Sequence, residues 1–205
     1  MPPVGGKPGS IALTANDLRL WKASGCCASH ACPMELYPDF RDFIQFLNEE
    51  KVEYLVGGGY AVTWHGYPRF TGDLDIWIHA TSANAVRMVR VLERFGAGSV
   101  GITAEDFLDD KFEVLKMGST PIRIDMMTRM KGLEFPAAFA QKEIYHTEGL
   151  PVFILGLADL RRAKRAANRP KDKDDLQHLP PAPRKRTKLP SSNPSKEGEQ
   201  DALPP

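Results

Sequence analysis

The chain has 205 residues, 42% hydrophobic and 26% charged, and 27 Lys+Arg against 26 Asp+Glu leave a formal net charge of +1. That is apolar material for one globular domain with attached tails. No apolar run approaches the roughly 20 residues that span a bilayer, the N-terminus lacks a basic region followed by an apolar core of signal-peptide length, and three irregularly spaced cysteines make no disulfide framework. The expectation is a cytoplasmic protein with no membrane segment.

Residues 1–33 mix Gly, Pro and Ser without periodicity. They are expected to be a disordered extension, or a misassigned one lying before a natural start at Met34. Cys26, Cys27, His30 and Cys32 offer zinc-ligand chemistry, but adjacent cysteines and the lack of a second knuckle argue against a zinc site.

From Met34 the pattern becomes regular. Phe40, Phe43, Ile44 and Leu47 recur at helical spacing and predict a helix over 39–49. An apolar strand over 53–57 runs into Gly57-Gly58-Gly59, and a short helix over 59–66 follows. Next come a strand over 73–78 and a helix over 82–95 that buries Ala85, Val89, Leu92 and Phe95 and stops at Gly96. Strands over 112–117 and 121–127, joined as a hairpin through Gly118-Ser119-Thr120-Pro121, precede a strand over 151–155 and two C-terminal helices, the second opened by Pro170. The fold class is therefore α+β, a mixed β-sheet flanked by helices. Beyond residue 179, seven prolines and the run Arg184-Lys185-Arg186-Thr187-Lys188 cannot bury an apolar face, so 180–205 is expected to be a disordered basic tail.

The chemistry concentrates in three segments. Asp73 and Asp75 stand two apart on a strand and leave the same face, with Cα atoms about 6.5–7 Å apart. Carboxylates are hard ligands for Mg²⁺ or Mn²⁺, ions usually held by one or two carboxylates together with substrate phosphates. The strand–glycine turn–helix junction at Gly57-Gly58-Gly59 lets backbone approach an anion closely. On the later strand Asp125 shares a face with Arg123 and Met127, and a carboxylate in such a strand must pair with a cation, Arg123 or another, or bind a metal. Should that strand lie beside Asp73 and Asp75, three carboxylates converge where two metals about 3.5–4 Å apart could clamp an in-line displacement. On the first C-terminal helix Lys164 shares the packed face with Leu157, Leu160 and Ala167, so its amine must find a partner or snorkel to water. From Asp159 to Asp175 seven Lys/Arg stand against four Asp, a local excess suited to a phosphate-bearing ligand or to a solvated face.

Taken in order, Gly-Gly, about fifteen residues, Asp-x-Asp on a strand and a lone Asp on a later strand resemble the polymerase-β-type nucleotidyltransferase superfamily. Within it, Val56-Gly57-Gly58-Gly59-Tyr60-Ala61-Val62 with His65-Gly66-Tyr67-Pro68-Arg69-Phe70-Thr71-Gly72-Asp73-Leu74-Asp75 is similar to small bacterial nucleotidyltransferases related to AbiE- and MNT-type toxin–antitoxin proteins, with Gly57 replacing a more usual apolar residue. The resemblance runs over 34–179 and implies a nucleotidyltransferase fold and domain there. It implies an enzyme that transfers a nucleoside monophosphate from an NTP to an acceptor, tRNA or a partner protein, with release of pyrophosphate. Asp73, Asp75 and Asp125 would bind Mg²⁺ or Mn²⁺, while Gly58, Gly59, Thr71, Lys164 and Arg69 would position the triphosphate. Asp172 and Asp175 would lie near the site, and a cognate toxin or antitoxin would be the partner. An aminoglycoside-type small-molecule nucleotidyltransferase and a non-catalytic antitoxin module are the alternatives. His65, His79, His146 and His178 are scattered and receive no catalytic role.

Overall fold

A computed structural model describes residues 36–182 except 113, 120 and 121. The expectations for residues 1–33, for the cysteine-rich group within them and for the tail past 182 lie outside the described residues.

Helix α1 (Pro38–Glu49) starts on a proline whose missing N–H costs nothing in the first turn, and it buries Phe40, Phe43, Ile44 and Leu47 along one face. Each such side chain contributes about 1.5–3 kcal/mol of transfer free energy. Strand β1 (Tyr54–Val56) follows, fully buried, then α2 (Gly58–Trp64), β2 (Asp73–Ile78) and α3 (Ser82–Arg94). Thr81 caps α3 by accepting from the Asn84 N–H at 3.4 Å. The buried Asn84 side chain in turn accepts from the Glu53 N–H and donates to the carbonyls of Glu53 and His79, tying α3 to the end of the pair where β1 begins and β2 stops. Ala85 and Leu92 are buried as the helical spacing predicts, and α3 packs on α1, where Phe43 meets Phe95 edge to face at 5.0 Å.

Strands β3 (Leu115–Ser119) and β4 (Ile122–Met127) form the expected hairpin, but β3 lies further along than the predicted 112–117. Gly118 reads as a turn residue in sequence, whereas it pairs with Arg123 inside the ladder. Its φ of +88°, with the Ile122 carbonyl oxygen 2.8 Å from where a Cβ would stand, explains why glycine occupies a strand position.

Among the described residues, four elements escape the sequence reading: two 3-10 turns (Gly98–Val100 and Asp106–Leu108), a short helix and an edge strand. Helix α4 (Phe135–Phe139) is a short turn whose Phe135 packs against Trp77. Strand β5 (Glu143–Thr147) makes a hairpin with β6 (Leu150–Ile154) through Glu148 and Gly149, both at positive φ. Helices α5 (Leu157–Ala167) and α6 (Pro170–His178) complete the fold as predicted, separated at Asn168 in the left-handed region.

The six strands form one sheet in the order β3-β4-β2-β1-β6-β5. Strand β1 runs antiparallel to β2 and parallel to β6, while β2 runs parallel to β4, so the sheet is mixed and the α+β class holds. The buried apolar residues form one core around its central strands. Among the described residues, no helix is long and apolar enough to cross a membrane.

Candidate active site

Because β1 and β2 are antiparallel, the chain leaving β1 passes directly beside the start of β2. The Gly57 N–H donates to the Asp75 carbonyl at 2.9 Å, extending the ladder by one bond. Gly58 then turns at φ +52° into α2, and a Cβ there would collide with the Asp75 carboxylate; one on Gly59 would collide with the Thr71 hydroxyl. Both glycines are thus required by close approach of backbone to site side chains, and at Gly58 by conformation as well. Thr71, whose hydroxyl donates to the Asp73 carbonyl at 3.3 Å, closes the same corner.

Strand β4 brings the third carboxylate. Its parallel register with β2 sets Asp73 opposite Arg123 and Asp75 opposite Asp125, and residues opposite one another share a face. Asp73, Asp75, Arg123 and Asp125 therefore form a four-cornered group, three corners acidic and one basic. The Arg123 guanidinium grips Asp125 with both arms, Nε to Oδ1 at 2.6 Å and Nη2 to Oδ2 at 2.9 Å, and Nη2 also reaches Asp73 Oδ2 at 3.0 Å. Asp125 is 8% exposed. Lys116 on β3 stands opposite Asp125 and is exposed.

Three carboxylates and one guanidinium leave the group with two formal negative charges, and Asp75 feels them most. Burial pushes its pKa up to about 6, and the neighbouring Asp125 and Asp73 charges push in the same direction. Lys164 and Arg169 act against the rise, which locates both near Asp75.

Lys164 is itself buried and paired. Its amine lies 2.6 Å from Asp175 Oδ2 and 3.3 Å from Asp172 Oδ1. The same Asp175 accepts from Arg69, Nε to Oδ1 at 2.7 Å and Nη2 to Oδ2 at 3.1 Å, and Asp172 accepts from Arg169 Nε at 2.7 Å. Burial raises the pKa of both aspartates, but hydrogen bonds and charge from Arg169, Lys164 and Arg69 outweigh it and hold them below the usual carboxylate range. Three cations and two anions thus join α5, α6 and the loop before β2, with one positive charge in excess. Tyr67 adds to the clamp: it stacks on His178 at 4.2 Å and donates to Asp174 at 3.1 Å.

The candidate metal- and triphosphate-binding residues stand on or around this one corner. Asp73, Asp75 and Asp125 share a sheet face, Gly58, Gly59 and Thr71 border it, and Lys164 and Arg69 are linked through Asp175. What sequence reasoning missed is the extent of the Arg123 bridge, which the two-residue spacing to Asp125 signals, and the pairing of Arg69 with Asp175, for which nothing local signals.

The donor chemistry suits a divalent cation, since three carboxylates share one face with surplus negative charge and one of them is raised in pKa by burial and, less, by its neighbours. Among the described residues, however, no three His, Cys, Asp or Glu side chains stand as a ready metal-holding set. Arg123 engages both oxygens of Asp125 and one of Asp73.

By fold and site, the chain is an α+β protein that presents an acidic trio beside a glycine corner and a buried basic network. No protein-family model matches the chain, and no curated protein matches it. Several solved structures resemble it, two of which follow. One is a Thermotoga maritima protein provisionally named a nucleotidyltransferase, with a TM-score of 0.46 at 17% identity over 71% of this chain and 94% of that one. The other is an antigenic nucleotidyltransferase-like protein from Paracoccidioides brasiliensis, with a TM-score of 0.42 at 14% identity over 67% of this chain and 70% of that one.

The glycine corner gives a direct test. Gly58→Ala is expected to lose about 1–2 kcal/mol from the left-handed backbone alone and further stability from displacing Asp75. Urea melts should show a lowered midpoint; an unchanged midpoint would contradict the close approach.

Proposed function

We propose that the chain is a divalent-metal-dependent nucleotidyltransferase that moves a nucleoside monophosphate from an NTP to an acceptor hydroxyl. The observation that carries this reading is the β2–β4 register: it sets Asp75 against Asp125, with Asp73 beside them, at the corner where Gly58 meets β2.

In this reading an acceptor oxygen forms a bond to the α-phosphorus, the bond from that phosphorus to the α–β bridging oxygen breaks, and pyrophosphate leaves with the electron pair. Asp125, on the strand further from the glycine corner, takes the acceptor proton. The backbone at Gly58 and Gly59 and the hydroxyl of Thr71, packed together at the edge of the acidic trio, would orient the triphosphate. Lys164 and Arg69, fixed by Asp175, supply the positive charge of the phosphate flank. Asp73, Asp75 and Asp125 would hold Mg²⁺ or Mn²⁺, which when bound supplies charge to the phosphoryl oxygens and the attacking oxygen.

The acceptor class we favour is anionic, tRNA or a partner protein carrying acidic groups, as in AbiE- or MNT-type systems of the cytoplasm. Supporting this, Arg165, Lys171 and Lys173 are exposed on the α5–α6 hairpin whose inner side carries Lys164. Incubation with each α-³²P-labelled NTP, Mg²⁺ or Mn²⁺, and total tRNA, cell protein or kanamycin tests the reading. Label in tRNA or protein is expected and should fall at least about a hundredfold in Asp125→Asn. Label in kanamycin would favour small-molecule modification, and no label with any acceptor would leave a binding module.

A further inference from the structure

Arg123 reaches two carboxylates of the trio, Asp73 and Asp125, with a single guanidinium. We propose that Arg123 is the resident counter-cation of the metal-free site and that a divalent ion must displace its guanidinium to reach Asp73 and Asp125. The proposal rests on the reading of the trio as metal ligands.

Three observations carry it. First, both oxygens of Asp125 and one oxygen of Asp73 are engaged by Arg123 at 2.6–3.0 Å. These are charge-assisted bonds in the fork geometry that a guanidinium makes best, and an arginine does not lose its charge to free them. Second, the carboxylates so engaged are not arranged to hold an ion as they stand. The guanidinium and a divalent cation therefore compete for the same lone pairs. Third, Arg123 has room to leave. Its side chain is 26% exposed, and its partner across the β3–β4 ladder is Gly118, which presents no side chain. Asp75, by contrast, lies under the Gly58 backbone and has no exit of that kind.

The exchange has an electrostatic logic. One positive charge leaves two formal negative charges on the group, enough to hold the strands in register but not to neutralise the trio. A divalent ion brings twice the charge to the same oxygens. The pairing with Arg123 thus weakens metal binding in the absence of nucleotide, and phosphates arriving with the ion offer the released guanidinium a new anionic partner.

The test is Mn²⁺ binding without nucleotide, read by electron paramagnetic resonance of the free ion, for the full chain and for Arg123→Gln, Arg123→Lys and Asp75→Asn, with circular dichroism to verify folding. Arg123→Gln should bind Mn²⁺ roughly tenfold more tightly than wild type, because the ion no longer breaks charge-assisted bonds. Its metal-free melting temperature should fall, and Mn²⁺ should raise that temperature by more than in wild type. Arg123→Lys, which keeps the charge but loses the fork, should bind with intermediate affinity and remains informative if the glutamine variant fails to fold. Unchanged or weaker binding in the folded arginine variants, with wild type binding Mn²⁺, would overturn the competition while leaving the trio as ligands. Absence of binding in wild type and all variants would overturn both.

Discussion

Asp75→Asn is expected to make the protein more stable and catalytically dead. In the folded chain the Asp75 carboxyl titrates at about 6, against about 3.9 for an unfolded aspartate. The fold therefore disfavours its charged form. Below about pH 4 the carboxyl is protonated in both states and no penalty exists; above about pH 6 the penalty is fully present, on the order of 3 kcal/mol for a shift of this size. Asparagine has nearly the same shape and removes the penalty. At pH 7.5 the variant should melt roughly 5–10 °C higher than wild type. The gap should shrink as pH falls from 6 toward 4, because only wild type regains stability there through Asp75. Thermal melts of both proteins across pH 4–7.5 read this difference; groups remote from Asp75 cancel in the comparison, whereas Asp73 and Asp125, coupled to its charge, do not. NMP transfer should meanwhile be lost. A variant no more stable than wild type at pH 7.5 would mean that Asp75 bears no electrostatic burden, and the argument for a cation-hungry site would weaken with it.

Asp175→Ala is the counterpart, expected to unfold readily. Asp175 is fully buried and holds two cations, Lys164 at 2.6 Å and Arg69 at 2.7 Å. Removing one partner of a buried ion pair leaves charge uncompensated in a poor solvent for it, a loss of about 3–5 kcal/mol. Urea denaturation should show a large fall in midpoint with little change in slope. The double variant Lys164→Met with Asp175→Leu should recover part of that stability, because well-packed apolar residues often replace a buried pair without loss. On the proposed function it should not recover transfer, because Lys164 would be the amine of the phosphate flank. Full activity in the double variant would exclude Lys164 from substrate binding.

Opposite effects at two aspartates of one site follow from their surroundings. Asp75 stands among like charges, and its negative charge opposes folding. Asp175 stands among cations, and its charge supports folding without any ligand. Stability is thus arranged on the basic side and withheld on the acidic side, where binding can supply it.

How much of this was legible in the sequence differs by element. Helices α1, α3, α5 and α6 are announced by apolar residues at helical spacing and by Pro170, because an amphipathic helix writes its buried face into one continuous segment. Strand β5 announces itself poorly. It lies at the sheet edge, where Ile144 is 49% exposed and no clean inside–outside alternation is required. The Glu148-Gly149 turn was the available signal, muted because Asn or Asp is the customary residue before glycine there.

The sequence by itself determined that Asp73 and Asp75 leave one strand face together, that Arg123 and Asp125 do the same on another, and that a glycine corner precedes the first pair. Each follows from a two-residue repeat or from the backbone freedom of glycine, both local properties. Only the tertiary structure decided that the two strands lie side by side in parallel, in the register that makes one guanidinium bridge Asp73 and Asp125 and brings Asp75 against its rival carboxylates. It also decided that Lys164 and Arg69, nearly a hundred residues apart, share Asp175. Register and charge pairing between distant segments depend on how the whole core packs, and no short stretch of chain contains that information.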